Sequence, residues 1–196
     1  MKYCKATELT FDPRPQVGKI AVEAFYDLLR HFPVDMAQAE KVFARSIELD
    51  YFYAAVEDEE IVALVACKAN KPPPIKFDKD ILVEAFGLIN GSIAYKMLEK
   101  YILNHKYPFE LSPRTCSIEI AATAQKRRGQ GIAGGLITQV MEELSFDEYV
   151  LEVVDTNAAA IRMYEKLGFS EFMRGPAPPN SGFNHFIYMK KERPYV

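Results

Sequence analysis

The sequence predicts an α/β layer fold. Three observations carry this. Strand-like and helix-like periodicities follow one another in the order β-α-α-β-β-(helical insert)-β-α-β-α-β-β; a glycine-rich turn joins a strand to an amphipathic helix past mid-chain; and a glycine closes the last helix. With 196 residues the chain is long enough for one medium domain carrying a sizeable insertion.

Lys2–Phe11 reads as the first strand, stopped by Asp12-Pro13-Arg14-Pro15. From Gln16 to His31, Ile20, Val22, Ala24, Phe25, Leu28 and Leu29 form a helical stripe. Asp35 to about Glu48 reads as a second helix with Met36, Ala39, Val42 and Phe43 on one face. Tyr51–Val56 and Ile61–Cys67 are two strands joined by the acidic turn Glu57-Asp58-Glu59-Glu60, a hairpin. Lys71-Pro72-Pro73-Pro74 breaks the pattern. Residues 79–104 then read as helical in two pieces divided around Asn90-Gly91, with Ile93, Met97, Tyr101 and Ile102 on one face of the second. The whole section 71–112 is too long for a plain loop and reads as an inserted helical lid.

Arg114–Thr123 is the next strand, and the helix after the glycine turn buries Ile132, Leu136, Ile137, Val140, Met141 and Leu144. Tyr149–Val154 is a strand, and Thr156–Leu167 a helix capped by Gly168 in a left-handed conformation. Phe169–Met173 and Phe186–Lys190 complete the order, with a Gly/Pro-rich loop over residues 175–182 between them.

Apolar residues make up 49% and charged residues 26%, as in ordinary globular proteins, and a net charge of −3 argues against nucleic acid as a main partner. Cys4, Cys67 and Cys116 are widely spaced, with no CxxC or His/Cys cluster, so neither a metal site nor a disulfide framework is expected. The polar N-terminus and the lack of a membrane-spanning apolar run point to a cytoplasmic protein with no membrane partner.

The turn Arg128-Gly129-Gln130-Gly131-Ile132-Ala133-Gly134-Gly135 opens straight into a helix, which presents bare backbone N–H groups at the positive end of a helix dipole. That arrangement binds phosphate without side chains. It is not a P-loop, because no Lys-Ser/Thr follows the glycines. Gly129, Gly131 and Gly134 match the dinucleotide fingerprint literally and Asp155 ends the next strand, but that fingerprint belongs to the first βα unit of a doubly wound fold.

Arg128, Gly131 and Ala133 also meet the pattern Gln/Arg-x-x-Gly-x-Gly/Ala. About thirty residues on stands Asn157-Ala158-Ala159-Ala160-Ile161-Arg162-Met163-Tyr164-Glu165-Lys166-Leu167-Gly168-Phe169. In these two motifs, in this order, the chain resembles the GNAT superfamily of CoA-dependent N-acyltransferases, closely over residues 114–190. The resemblance implies a central mixed, mostly antiparallel sheet flanked by helices, with the helical insertion before the central strand. It implies acetyl-CoA as acyl donor and no metal. The amides of Arg128, Gly129, Gln130, Gly131, Ile132 and Ala133 would wrap the pyrophosphate. Lys126 and Arg127 would reach the 3′-phosphate or remain solvated, and Ala122, Thr123 and the segment up to Gln125 would run along the pantetheine arm. Gln125 stands where many members have proline.

The same resemblance gives roles in the chemistry. A backbone N–H near Ala122 or Thr123 would polarise the thioester carbonyl. Tyr164 occupies the place of the proton donor to the thiolate, and the alternative for it is a core aromatic. Asn157 would contact the pantetheine, against a plain helix N-cap. Glu119, the one carboxylate inside the central strand, reads as lying on the face opposite Ile118, Ile120 and Ala122. There it would take a proton from the acceptor, against a structural ion pair with Lys or Arg. His185, at the start of the last strand, reads as a surface histidine. The expected function is acetyl transfer to the primary amine of a small molecule or peptide within a ternary complex; the rival is a CoA-binding module without turnover. Homodimers are frequent in the family, so a second copy of the chain is a candidate partner.

Overall fold

The computed structural model describes residues 1–26, 35–69, 72–99, 106–178 and 181–193. Seven strands form one mixed sheet: β1 (Lys2–Lys5), β2 (Phe52–Glu57), β3 (Glu60–Lys68), β4 (Thr115–Thr123), β5 (Glu148–Val154), β6 (Ser170–Pro176) and β7 (His185–Glu192). Their order across the sheet is β1-β2-β3-β4-β5-β7-β6. Only β4 and β5 pair in parallel; every other neighbour is antiparallel. Among the described residues six α-helices flank it: α1 (Arg14–Ala24), α2 (Met36–Ser46), α3 (Lys79–Phe86), α4 (Leu88–Leu98), α5 (Ile132–Leu144) and α6 (Ala158–Lys166).

Strand alternation gives the sheet two apolar faces, and each has its own core. On the first face α1, α2 and α3 bring Val17, Ile20, Val42, Phe43 and Leu82 onto Phe52, Leu64 and Ala66. On the second, α5 and α6 bring Leu136, Ile137, Val140 and Tyr164 onto Val65, Leu151 and Met189. Asp35 caps α2 by accepting from Gln38 N at 2.9 Å, and the buried Ala39, Val42, Phe43 and Ser46 follow helical spacing. The β2–β3 turn carries Asp58 and Glu59 at φ +49° and +63°, the two positive values that a two-residue hairpin turn needs. Gln16 straps α1 to this turn through Nε2 to Glu59 O (3.0 Å) and Oε1 from Ile61 N (2.7 Å).

Some boundaries differ from the sequence expectation, each for a long-range reason. β1 stops at Lys5 rather than Phe11 because its partner β2 begins at Phe52, opposite the next position after the Lys5–Tyr53 pair. The insertion's helices part at Gly87 (φ +79°), not around Asn90-Gly91. Gly91 lies inside α4, where a Cβ would sit 2.5 Å from Leu82 O and 2.6 Å from Val83 Cα. The glycine is thus required by the crossing of α3 and α4, not by a break. That contact also selects the packed face of α4, namely Gly91, Ala94, Tyr95 and Leu98, and leaves Ile93 53% exposed. The expected face included Ile93 and Met97; its other members Tyr101 and Ile102, and the expected helix ends over 27–31 and 100–104, lie outside the described residues. Gly168 closes α6 with φ +88°, as expected.

Candidate active site

The parallel pair β4–β5 is in register only from Thr115–Glu148 to Ile118–Leu151. β4 continues for five residues beyond that pair and β5 for three, so the strands part there into a fork. Ala124 N donates to Val62 O at 2.9 Å, and β4 pairs Thr123 with Ala63 and Ala122 with Leu64. In an antiparallel ladder the hydrogen-bonded positions alternate, so Ala122 and Ile120 turn their backbone groups to β3. Ala121 and Thr123 turn theirs into the fork. Of the expected pair, therefore, Thr123 turns its backbone to the gap and Ala122 is engaged with β3; Ala121 is the other residue of this stretch whose backbone faces the gap.

Past β4, Gln125–Arg127 form a 3₁₀ turn, and the chain reaches α5 through Gly129 (φ +78°) and Gly131 (φ +76°). A Cβ at either glycine would meet nothing within 4 Å; the backbone conformation, not crowding, calls for glycine. Gly131 is the N-cap of α5 and has no side chain to close it, so the first-turn N–H groups of Ile132, Ala133 and Gly134 have no capping partner. The turn is anchored from outside. Gln125 N donates to Glu23 Oε2 (3.1 Å), Arg128 Nε to Thr123 O (3.2 Å) and Arg128 Nη2 to Glu23 O (3.3 Å). Arg127 donates to Glu57 Oε2 at 2.5 Å and to Gln130 Oε1 at 3.1 Å; the first bond, with the charge of Arg127 behind it, holds the Glu57 carboxyl below its usual range. Arg127 thus braces the hairpin, whereas Lys126 is exposed.

Two sets of side chains meet at the fork's vertex, on opposite faces of the sheet. On the second face stands Tyr164, 6% exposed, its ring edge-on to Phe169 at 5.8 Å. Burial, with a smaller push from Cys67, raises its hydroxyl to about 12. Cys67 pairs with Ile118, the last residue before the strands part, and Tyr164 shares the second-face core with both. Among the described residues no buried polar side-chain atom lacks a partner, and Tyr164 Oη makes no hydrogen bond, so that oxygen itself touches solvent.

On the first face stands Glu119. β3 and β4 slip register between Ala66–Ile120 and Cys67–Ile118, which leaves Glu119 as a bulge residue. The bulge changes the expected alternation: Ile118 packs in the second-face core, but Ile120 and Ala122 pack in the first. Glu119 joins Ser117 and Lys68, with Ser117 Oγ donating to its Oε1 at 2.5 Å and Lys68 Nζ at 3.4 Å. The ion pair weighed for it in the sequence is present.

Sequence reasoning missed three neighbours. Glu152 is the first β5 residue past the vertex, on the face opposite Leu151 and Val153, and it stands directly across from Tyr188 on β7. Tyr107, from the tail of the insertion, sets its ring 6.1 Å from that of Tyr188 and feels the charges of Glu119 and Glu152. Burial first, then those two carboxylates, pushes its hydroxyl far up. A carboxylate inside the apolar run Tyr149–Val154 was a readable signal for Glu152; Tyr107 carried none.

Asn157 caps α6 by accepting from Ala160 N at 3.1 Å, which leaves its amide NH₂ free to donate. His185 Nδ1 lies 3.3 Å from Asp155 Oδ2. Burial opposes the charge of Asp155, but hydrogen bonds from Asn184 and His185 outweigh it and keep the carboxyl low.

A family model described as acetyltransferase (GNAT) family matches residues 16–169. The chain belongs to the GNAT acetyltransferase family. Solved structures agree on the fold. A Corynebacterium glutamicum protein described as histone acetyltransferase HPA2 and related acetyltransferase superposes with TM-score 0.65 at 22% identity, covering 100% of this chain and 97% of that one. An N-acetyltransferase from Staphylococcus aureus gives 0.61 at 17%, covering 92% and 96%. A ribosomal-protein-alanine N-acetyltransferase from Brucella melitensis gives 0.61 at 15%, covering 98% and 100%. No curated protein matches in sequence. In this GNAT chain no described helix is long and apolar enough to cross a membrane, and Cys4, Cys67 and Cys116 are free and buried.

Proposed function

We propose that this GNAT protein is an acetyl-CoA-dependent N-acetyltransferase that passes the acetyl group directly to a primary amine in a ternary complex. The observation that carries the reading is the fork. An uncapped helix N-terminus lies at its mouth, free backbone donors line its β4 side, and a solvent-touching phenol stands at its vertex.

The N–H groups of residues 128–133 hold the pyrophosphate, and Lys126 neutralises the 3′-phosphate. Ala121 and Thr123 pair with the pantetheine amides as an added strand would, and the Asn157 NH₂ donates to a pantetheine carbonyl. At the vertex a free backbone N–H, that of Ala121 or Thr123, polarises the thioester carbonyl, where a donor fixed before reaction contributes most. The Tyr164 hydroxyl, kept protonated by burial, gives its proton to the departing thiolate. Glu119 lies on the acceptor side of the fork. The described parts of the insertion, 72–99 and 106–112, belong to the same domain as the fork. A reducing cytoplasm suits three free thiols.

Calorimetric titration with CoA tests the reading. Gly131→Asp puts a carboxylate and a disfavoured side chain at the cradle and is expected to weaken CoA binding about 100-fold, with melting temperature little changed. Equal affinity in the variant would remove the phosphate cradle from the account.

A further inference from the structure

The last turn of α1 carries no basic residue of its own to meet its terminal carbonyls. The cation comes from far along the chain: Arg128 Nη2 donates to Glu23 O at 3.3 Å, while its Nε donates to Thr123 O at 3.2 Å. The exchange is returned. Ala124, the N-cap of the 3₁₀ turn over Gln125–Arg127, has no side chain that can cap it, and the Glu23 carboxylate supplies the missing bond by accepting from Gln125 N at 3.1 Å. Glu23 thus caps the turn with its side chain, and Arg128 caps α1 with its own, a reciprocal clasp between the helix and the turn.

Each half of the clasp belongs to a larger body. Arg128 adjoins Gly129 and Gly131, which lead the chain into the uncapped start of α5. On the other side α1 and α2 are closely packed. A Cβ at Gly18 would lie 2.4 Å from Glu40 O, and Phe25, the residue that closes α1, stacks on Phe43 of α2 at 6.2 Å. Both bonds from Arg128 lie at the long end of the hydrogen-bond range, and Arg128 and Gln125 are exposed, so the clasp has room to tighten.

We propose that Glu23 is a positioning residue for the donor site: through the clasp it holds the phosphate turn in its binding conformation, and occupancy of the turn is felt in return at the end of α1. This rests on the CoA reading above. A strap that orders the turn beforehand lowers the cost of binding there, and by reciprocity binding favours the closed strap. Glu23 acts through the backbone of Gln125 and through Arg128, not on the reacting atoms.

The test is amide hydrogen exchange of the full chain with and without CoA, read beside calorimetric CoA affinity. In the wild-type protein CoA is expected to slow exchange about tenfold in the first turn of α5 and also over residues 22–26, at the end of α1. Glu23→Ala is expected to weaken CoA about tenfold and, at saturating CoA, to lose the protection over 22–26 while that of α5 persists. A merely structural role would not give that split. Glu23→Gln keeps an oxygen for Gln125 N and is expected to bind within about threefold of the wild type, with the α1 protection restored. Four results overturn the clasp while leaving CoA binding standing: protection confined to α5 in the wild type, faster exchange over 22–26 on adding CoA, α1 protection that persists in Glu23→Ala, or wild-type affinity in that variant. No CoA binding by the wild-type protein removes the clasp together with the cradle reading beneath it.

Discussion

Ile118 and Leu151 are the last pair that β4 and β5 share. Beyond it β4 carries Glu119 on one face of the sheet and turns the backbone of Ala121 and Thr123 into the gap, while Tyr164 packs on the other face.

Alkaline stability follows from the buried phenols. Tyr53, Tyr107, Tyr149, Tyr164 and Tyr188 all have hydroxyl pKa values raised, burial being the largest cause in each. The unfolded chain releases these protons at about pH 10, the folded chain later, so the folded state holds more protons in between. Stability is therefore complete below about pH 10 and falls as pH rises toward the Tyr164 value of about 12. Tyr164 alone accounts for up to about 3 kcal/mol of that loss. In a spectrophotometric titration, part of the tyrosinate signal of the 11 tyrosines should appear only with unfolding. Smooth ionisation of all of them in a folded protein would refute the burial argument.

Lys126 and Arg127 are adjacent yet are predicted to behave differently. Arg127 is committed to Glu57 and Gln130. Lys126→Ala should weaken CoA a few-fold, roughly 1 kcal/mol for a screened surface charge, and leave dephospho-CoA affinity unchanged. Arg127→Ala should reduce affinity for the two ligands equally, through a loosened turn. Selective loss of CoA in Arg127→Ala would reverse the assignment.

Gly91→Ala should destabilise the protein by about 1–3 kcal/mol, because the methyl meets the backbone of Leu82 and Val83 and pushes α3 from α4. CoA affinity should be unchanged, since the fork lies elsewhere. Thermal melts and CoA titration of the same sample check both halves.

What was legible in the sequence was local. The cradle at Gly129 and Gly131 and the cap at Asn157 depend on a few consecutive residues, and their chemistry can be read from them directly. Asn157 also shows how both of its roles fit: the oxygen caps and the amide remains. The position of Glu119 was not legible, because a bulge is a mismatch of length between two strands far apart in the chain. Tyr107 was hidden for a similar reason. It lies in an aperiodic tail, and only the folded chain brings it beside Tyr188. Gly91 looked like a helix breaker, whereas its missing side chain serves a crossing that no local pattern announces.

The central claim is that the fork transfers acetyl groups and does not merely bind CoA. The most direct measurement is free-thiol release from acetyl-CoA across a panel of primary amines, with Tyr164→Phe beside the wild-type protein. Release is expected with at least one amine, with a loss of about 100-fold in kcat for the variant and CoA affinity unchanged, because the phenol acts only as the sulfur departs. Tight CoA binding without release for any amine, or a variant as fast as the wild type, would contradict it.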